Sequence, residues 1–330
     1  MVFITGCNGL VGSFIARQFL KEGHRVRALK RQNSNLQYLS DIQDQIEWVE
    51  GDVLDVTTLY EVLQACDQVV HSAAVVSFAA NDKEMMYKVN VEGTANIVNI
   101  CLELGINKLA FISSVAAIGR KKDSEVIDET SKWEDSKLNT YYAQTKHLAE
   151  MEVWRGHAEG LDTIIVNPSV VIGPSHWDRS STQLFKYVWD EKKYYATGSL
   201  NYVDARDVAK VVFQLMAGEF NGERYILNAG NVQYKAFFEH IAKAFGKRPP
   251  HRKVTPLLAA IAWRVAWFQS LFTRQSPVIT RETAYMSQKH FYYKNAKVVN
   301  ALNFKFHTLE ESINWASEKL LKKQDLSVSR

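Results

Sequence analysis

The chain of 330 residues is long enough for one large domain, or for one such domain with a smaller lobe. Hydrophobic residues make up 46% and charged residues 23%, as in ordinary soluble globular proteins, and a net charge of +4 does not indicate nucleic-acid binding. Cys7, Cys66 and Cys101 lack metal-ligand spacing, so we expect no metal site and a reducing, cytoplasmic compartment. Because a strand is predicted to start at Val2, we expect no signal peptide, and no stretch reaches the roughly 20 apolar residues of a spanning helix.

The first residues predict a strand, a glycine-rich turn and a helix. Residues 2–4 form the apolar run of a buried strand, residues 5–12 read T-G-x-x-G-x-x-G, and a helical apolar spacing follows over 13–22. Such a turn sets backbone N–H groups and a helix N-terminus against a pyrophosphate. We expect Gly6 to make the tight turn, Gly9 to admit the phosphates and Gly12 to let the helix pack closely. An ordinary glycine-rich turn is the alternative interpretation.

Strands and helices alternate along the first half of the chain. Further strands are predicted at 24–30, 46–50, 68–71, 109–113 and 163–167, and helices at 59–65, 83–104 and 141–156. This order predicts an α/β fold with a doubly wound parallel sheet, whose ligands lie at the carboxyl ends of the strands.

The alternation weakens after Pro168. Strands at 200–203 and 225–228 and a helix at 205–216 still follow. We therefore expect residues 1–170 to form the nucleotide-binding domain, and residues 171–330 to complete the sheet and form a smaller substrate-binding lobe.

Tyr142 and Lys146 lie four residues apart on a predicted helix, so their side chains share one face. A lysine ammonium favours the phenolate form of a nearby tyrosine, which makes the two a plausible proton-transfer pair. By itself this spacing is usually a coincidence. Ser114, at the end of a predicted strand, adds a hydroxyl at the sheet edge where the nucleotide is expected, although Ser113 and Ser114 also suit a turn or a cap.

Seven motifs in this order resemble those of the extended short-chain dehydrogenase/reductase family. They are T-G-x-x-G-x-x-G at 5–12, G-D at 51–52, H-S-A-A at 71–74, N-V-E-G-T at 90–94, S-S at 113–114, Y-x-x-x-K at 142–146 and N-P-S-V-V-I-G-P at 167–174. The resemblance covers at least residues 1–215. It implies a Rossmann fold, a nicotinamide dinucleotide and oxidoreductase activity.

The resemblance also implies roles for individual residues. Tyr142 would be the general acid/base, Lys146 would hold the nicotinamide ribose and lower the tyrosine pKa, Ser114 would orient the substrate carbonyl, and Asn90 would support a proton relay. The residues expected to bind the cofactor are Thr5, Gly6, Asn8, Gly9, Leu10, Val11, Gly12, Arg31, Asp52, Val53, Ala73, Ala74, Asn90, Ser113, Tyr142, Lys146, Asn167, Pro168, Ser169 and Val170. For His71, which follows a buried strand, a structural role is favoured.

Strand two ends in basic residues, where NAD-binding proteins usually carry a carboxylate for the ribose 2′-OH. Arg31 in this place suits a 2′-phosphate, so NADP is favoured and NAD stays possible. A solvated basic strand end is the alternative.

Within this family, residues 26–31 and 167–174 look most like the branch that holds dihydroflavonol reductases, cinnamoyl-CoA reductases and 3β-hydroxysteroid dehydrogenases. We therefore expect reduction of a carbonyl to an alcohol, or the reverse reaction, on a small-molecule substrate, and a lipophilic one would fit. A nucleotide-sugar epimerase or dehydratase with tightly bound NAD and a non-catalytic dinucleotide-binding scaffold are the alternatives. A homodimer is expected by family analogy.

Two aromatic regions have open interpretations. One either covers the substrate or forms plain core; its residues are Trp177, Phe185, Trp189, Tyr194 and Tyr195. Segment 254–273, with Trp263, Trp267 and Phe268, suits a lid over the substrate lobe, which is favoured, or a membrane-surface helix.

Overall fold

The computed structural model describes residues 1–120, 126–136, 138–177, 181–255, 258, 263–264 and 281–328. In this part of the chain the strands are β1 (Val2–Thr5), β2 (Val26–Lys30), β3 (Ile46–Glu50), β4 (Gln68–His71), β5 (Lys108–Ile112), β6 (Val126–Ile127), β7 (Thr163–Pro168), β8 (Val170–Ile172), β9 (Tyr194–Tyr195), β10 (Ser199–Asp204), β11 (Glu223–Leu227), β12 (Gly230–Gln233), β13 (Arg252–Lys253) and β14 (Tyr292–Tyr293). The α-helices are α1 (Leu10–Lys21), α2 (Val56–Leu63), α3 (Lys83–Tyr87), α4 (Gly93–Glu103), α5 (Tyr141–Ala158), α6 (Thr182–Trp189), α7 (Ala205–Ala217), α8 (Tyr234–Phe245), α9 (Arg281–Met286), α10 (Ala296–Leu302) and α11 (Leu309–Val328).

Seven strands form one parallel sheet in the order β11-β7-β5-β4-β1-β2-β3. β1 pairs with β2 on one side, where Phe3 is opposite Arg27, and with β4 on the other, where Phe3 is opposite Val69. The order of the strands therefore reverses at β1, and a crevice opens at the carboxyl ends of β1 and β4. This topology confirms the doubly wound parallel sheet that the sequence predicts.

Helices cover both faces of this sheet because its strands are apolar on both sides. Val2 and Ile4 belong to one core cluster with Phe19 of α1 and Val212 of α7. Phe3 points the other way, as successive residues of a strand do, and joins the cluster formed by α2, α4 and α5. The carboxyl edge between the two helical layers is left for polar side chains.

A smaller sheet stands beside the large one, with β10 parallel to β8 and antiparallel to β12. Its core also contains residues of α6, α8 and α11. Trp177, Phe185 and Trp189 surround the ring of Phe245, with ring centroids 5.3 to 6.2 Å from it. Their packing favours the core interpretation of these three aromatic residues. Tyr195 packs against the same cluster, whereas Tyr194 is exposed.

The long helix predicted over 83–104 is interrupted in the structure. It consists of α3, one π-helical turn at Lys88–Glu92 and α4. A π turn inserts an extra residue, and such turns occur frequently at functional sites. Asn90 lies within this turn, and its side chain bonds to the backbone of Val75. Because this contact joins distant residues, apolar spacing within the helix does not reveal the break.

Capping also moves two predicted helix starts. α1 begins at Leu10 rather than residue 13, because Gly9 takes the N-cap position. α2 begins at Val56 rather than residue 59, because the Asp55 carboxylate accepts bonds from the backbone N–H and the hydroxyl of Thr58.

Most of segment 254–273 lies outside the described residues, including Trp267 and Phe268, so the lid and membrane-surface interpretations stay predictions. No helix in the described part of the chain is both long enough and apolar enough to cross a membrane.

Candidate active site

The turn between β1 and α1 leaves a cradle at the centre of the crevice. Gly6 adopts a left-handed conformation, with φ of +66°, that favours glycine. A Cβ atom on Gly12 would lie 2.2 Å from the Gly6 carbonyl oxygen, so only glycine permits the close approach of turn and helix. Gly9 caps α1 without a side-chain hydrogen bond, which leaves the helix N-terminus for an anion. The cradle fits the pyrophosphate of a dinucleotide.

A buried chain of hydrogen bonds supports this cradle from β4. The Thr5 hydroxyl accepts bonds from the N–H groups of Ser72 and Ala73, both at 3.1 Å, and lies 2.7 Å from Nδ1 of His71. Because both N–H groups donate to Thr5, its one proton is left to donate to Nδ1. Nε2 of His71 then carries the ring proton and donates it to the Thr94 hydroxyl at 3.0 Å. This arrangement agrees with the structural role favoured for His71.

The Asn90 amide holds the chain segment that follows β4. Its oxygen accepts a bond from the Val75 N–H at 2.8 Å, and its nitrogen donates to the Val75 carbonyl at 3.0 Å and to the Thr145 hydroxyl at 3.1 Å. Thr145 lies on α5, between Tyr142 and Lys146. Asn90 therefore connects the segment after β4 to the helix that carries the Y-x-x-x-K motif.

Tyr142 and Ser114 meet where β5 ends. Ser114 caps a short 3₁₀ helix at Val115–Ile118, and its hydroxyl accepts a bond from the Ala116 N–H at 3.2 Å. Burial raises the pKa of the Tyr142 phenol to about 12, and a hydrogen bond with Ser114 opposes this rise. Tyr142 therefore carries its proton at neutral pH, as a general acid must.

Lys146 lies one helical turn after Tyr142 and is buried. Its Nζ donates to the Ile112 carbonyl at 2.8 Å and lies 4.3 Å from the centre of the Phe111 ring. Burial lowers its pKa to about 7, and the Glu150 carboxylate opposes this fall. In this structure Lys146 contacts β5, so the expectation that its charge lowers the Tyr142 pKa stays a prediction.

Glu150 is a residue that the sequence reasoning missed. It follows Lys146 by one further turn and accepts bonds from the Ser113 hydroxyl and the Asn167 amide, each at 2.5 Å. Arg224 donates to its second oxygen at 2.6 Å. The spacing 142, 146, 150 on one helix face is the signal that could have revealed it.

The basic end of β2 lies beside the end of β1 in the sheet. Arg31 follows β2 directly, is exposed and forms no ion pair with the residues that the structure describes. Asp52 and Val53 follow β3, the next strand; Asp52 accepts a bond from the Leu54 N–H, and the Val53 carbonyl accepts one from Asn96. These residues border the side of the crevice where the sequence predicts the adenosine.

The remaining predicted cofactor residues lie at the ends of the same parallel strands or directly after them. Asn8, Leu10 and Val11 belong to the glycine-rich turn and the start of α1. Ala73 and Ala74 follow β4. Pro168 ends β7, Ser169 follows it with a buried hydroxyl that has no described partner, and Val170 begins β8. The structure thus brings the predicted residues to one sheet edge.

A family model matches residues 2–230 of this chain, and its description is the NAD dependent epimerase/dehydratase family. The chain belongs to this family. Among its relatives, a putative dihydroflavonol 4-reductase of Synechocystis sp. is 32% identical over 324 residues, which cover 94% of this chain and 92% of the relative. Cinnamoyl-CoA reductase 1 of Petunia hybrida is 29% identical over 265 residues, 76% of this chain and 78% of the relative.

Solved structures agree with this family membership. The crystal structure of gox2253 superposes with a TM-score of 0.83 at 30% identity, covering 98% of each chain. A dTDP-glucose 4,6-dehydratase of Streptomyces venezuelae, the DesIV double mutant with NAD bound, has a TM-score of 0.80 at 18% identity and covers 99% and 98%, so it shows the shared fold alone. The family member described here is an extended short-chain dehydrogenase/reductase, an NAD(P)-dependent oxidoreductase acting on carbonyl and alcohol groups.

Proposed function

We propose that this oxidoreductase prefers NADP and reduces the carbonyl group of a lipophilic ketone or aldehyde. Residues 1–170 would hold the cofactor, and residues 171–330 would complete the sheet and cover the substrate. The observation that carries the proposal is the position of Tyr142 beside Ser114 at the carboxyl edge of the sheet, with buried Lys146 bonded to the Ile112 carbonyl one helical turn away.

The side chains of this site have the chemistry that a carbonyl reduction needs. A bound nicotinamide dinucleotide supplies the hydride for the carbonyl carbon. The hydroxyl groups of Ser114 and Tyr142 donate hydrogen bonds to the carbonyl oxygen, and the Tyr142 proton moves to that oxygen as negative charge develops there. A phenol whose pKa is raised to about 12 holds this proton until then. The Lys146 ammonium stabilises the phenolate that remains.

Two features of the segment after β4 support a lipophilic substrate. Val76 and Phe78 alternate with less exposed residues and leave 61% and 42% of their surfaces exposed. The Phe78 ring meets the Tyr142 ring edge to face, with centroids 6.4 Å apart. An apolar rim therefore reaches the general acid itself, where the body of a substrate bound at Tyr142 would remove this surface from water.

The surface of the chain supports two further parts of the proposal. Leu148 and Met151 stand 42% and 49% exposed on α5, and a homodimer would bury them. The cysteines are free thiols buried in the fold, as suits a protein of the reducing cytoplasm.

The experiment mixes purified protein with NADPH and a set of lipophilic ketones and aldehydes, and follows NADPH absorbance. Nucleotide sugars are tested in parallel, with NAD⁺, by product analysis. We expect NADPH-dependent turnover of carbonyl compounds with apolar bodies, lowered by about 10²–10⁴-fold in the Tyr142→Phe variant. Conversion of nucleotide sugars without turnover of any carbonyl compound would overturn the proposal in favour of an epimerase or dehydratase.

A further inference from the structure

The carboxylate of Glu150 has no exposed surface and stands directly behind the catalytic set. Tyr142, Lys146 and Glu150 are spaced by four residues on α5, so the three side chains share one face of the helix. Glu150 is thus the buried residue at the inner end of this helix face.

Three donors converge on this carboxylate, two from strands and one from the residue that directly follows β5. Ser113, directly after β5, and Asn167 on β7 donate to Oε1, each at 2.5 Å, and Arg224 on β11 donates to Oε2 at 2.6 Å. Donors on both oxygens suit an ionised carboxylate, which only accepts hydrogen bonds. Glu150 and Arg224 form a buried ion pair, in which the Arg224 side chain is 16% exposed.

These bonds determine where the backbone beside Ser114 lies. The Asn167 amide nitrogen that donates to Glu150 also donates to the Ser114 carbonyl at 2.9 Å. Lys146 holds the carbonyl of Ile112 at 2.8 Å. Lys146 therefore holds Ile112, Glu150 holds Ser113, and Asn167 holds Ser114. Asn167 is itself bonded to Glu150.

We propose that Glu150 is a positioning residue for the reduction: with Arg224 as its partner it fixes Ser113 and Asn167, and it supplies the negative charge beside Lys146. The proposal rests on the carbonyl reduction inferred above. A carboxylate near a buried ammonium favours the protonated lysine. Without that charge Lys146 would lose its proton at a lower pH, and the tyrosine would lose its cationic neighbour.

The protonation of the other titratable groups around Glu150 and Lys146 follows from their surroundings. Burial raises the pKa of Glu150, and Arg224 opposes this rise, followed by Ser113, Asn167 and Lys146. His71 on β4 faces Lys146, but burial lowers its pKa to about 3, so it is neutral across the working range. Burial and then Arg224 lower the pKa of His147. Tyr142 keeps its proton to about pH 12.

The test separates the charge of Glu150 from its part in the ion pair. Glu150→Gln removes the charge and strands Arg224, whereas the double variant Glu150→Gln with Arg224→Gln leaves two neutral amides facing each other. Glu152→Gln is the matched control, because Glu152 lies on the same helix, is partly exposed and pairs with Arg155. For each protein we measure the melting temperature, the NADPH affinity by tryptophan fluorescence, and kcat/KM for the reduction, the last two against pH.

We expect the alkaline limb of NADPH binding and of kcat/KM to move down by about 1 pH unit or more in both Glu150 variants. The double variant should recover melting temperature relative to Glu150→Gln without recovering the limb, and the Glu152 control should match the wild type. A limb that stays in place, or that returns to the wild-type position in the double variant, would overturn the proposal and leave Glu150 a structural ion-pair partner. If Glu150→Gln does not fold, the double variant decides.

Failure of the proposed function has a different signature. A wild-type protein that binds NADPH but reduces no carbonyl compound contradicts the reductase proposal. The pH dependence of NADPH binding in the variants then still decides the role of Glu150.

Discussion

His71 should make the fold sensitive to mild acid. The ring is fully buried, and Thr5 and Thr94 occupy its two nitrogens with fixed donor and acceptor roles. Burial lowers its pKa to about 3, and the Lys146 charge adds to this fall. A proton added to Nδ1 would meet the Thr5 hydroxyl proton in a fully buried site, so the native ring stays neutral.

The sign and size of the effect follow from linkage. The unfolded chain takes up a proton on this residue below about pH 6.5, while the native chain does not until about pH 3. The contribution of the neutral His71 ring to stability is therefore fully present above about pH 6.5 and is lost as the pH falls toward about 3. About pH 5 lies roughly 1.5 pH units below the pKa of an unfolded histidine. Protonation of the unfolded chain therefore lowers the free energy of unfolding there by about 2 kcal/mol, at 1.36 kcal/mol per unit.

The assay is urea unfolding at about pH 7 and about pH 5, for the wild type and His71→Asn. The wild type should lose about 2 kcal/mol more than the variant between the two conditions. His251→Asn, at an exposed histidine, should lose as much as the wild type. Equal losses in the wild type and His71→Asn would refute the neutral, doubly bonded ring.

Four further outcomes are expected. Tyr142→Phe should lower turnover by about 10²–10⁴-fold, the usual contribution of a positioned acid, and keep NADPH affinity in a fluorescence titration; near-normal turnover would contradict its role. Gly9→Val should abolish measurable NADPH binding while the circular dichroism spectrum stays unchanged, because the side chain enters the phosphate cradle. Leu148→Lys with Met151→Lys should yield a monomer in light scattering, and a dimer that persists would place the interface elsewhere. The wild type should bind NADPH about tenfold more tightly than NADH, and Arg31→Asp should reverse this ratio, because a guanidinium bonds a 2′-phosphate more strongly than a hydroxyl; an unmoved ratio would exclude Arg31 from the ribose site.

The sheet could be predicted from the sequence because each of its strands is signalled locally. Strands β3 and β4 begin and end at the predicted residues, since Ile, Val and Trp are concentrated there and polar residues or turns bound each segment. The glycine-rich turn was predictable for a similar reason. The left-handed conformation of Gly6 and the close packing of Gly12 are demands on single residues that no other amino acid meets.

The two-residue strands outside the large sheet could not be predicted in the same way. Strands β9, β13 and β14 have two residues each, which is too short for an alternating pattern to emerge. β6 pairs with β14 although the two strands are far apart in the chain, with Val126 opposite Tyr292. Only the folded chain brings such partners together, so their pairing leaves no trace in local spacing.

The residues of the candidate site also fall into two groups, those that a local motif marks and those that only contacts in the folded chain reveal. Motifs name Ser114, Tyr142 and Lys146 as candidates from the sequence alone, and their catalytic roles stay predictions. Glu150 was missed although its spacing from Lys146 is visible in the sequence, since a glutamate inside a helix is usually solvated, and its partner Arg224 lies 74 residues along the chain. A parallel sheet makes this outcome general, because its crossovers bring residues from distant parts of the chain to one edge. Residues that meet the ligand can keep a motif, but residues that support them from behind are identified by their contacts.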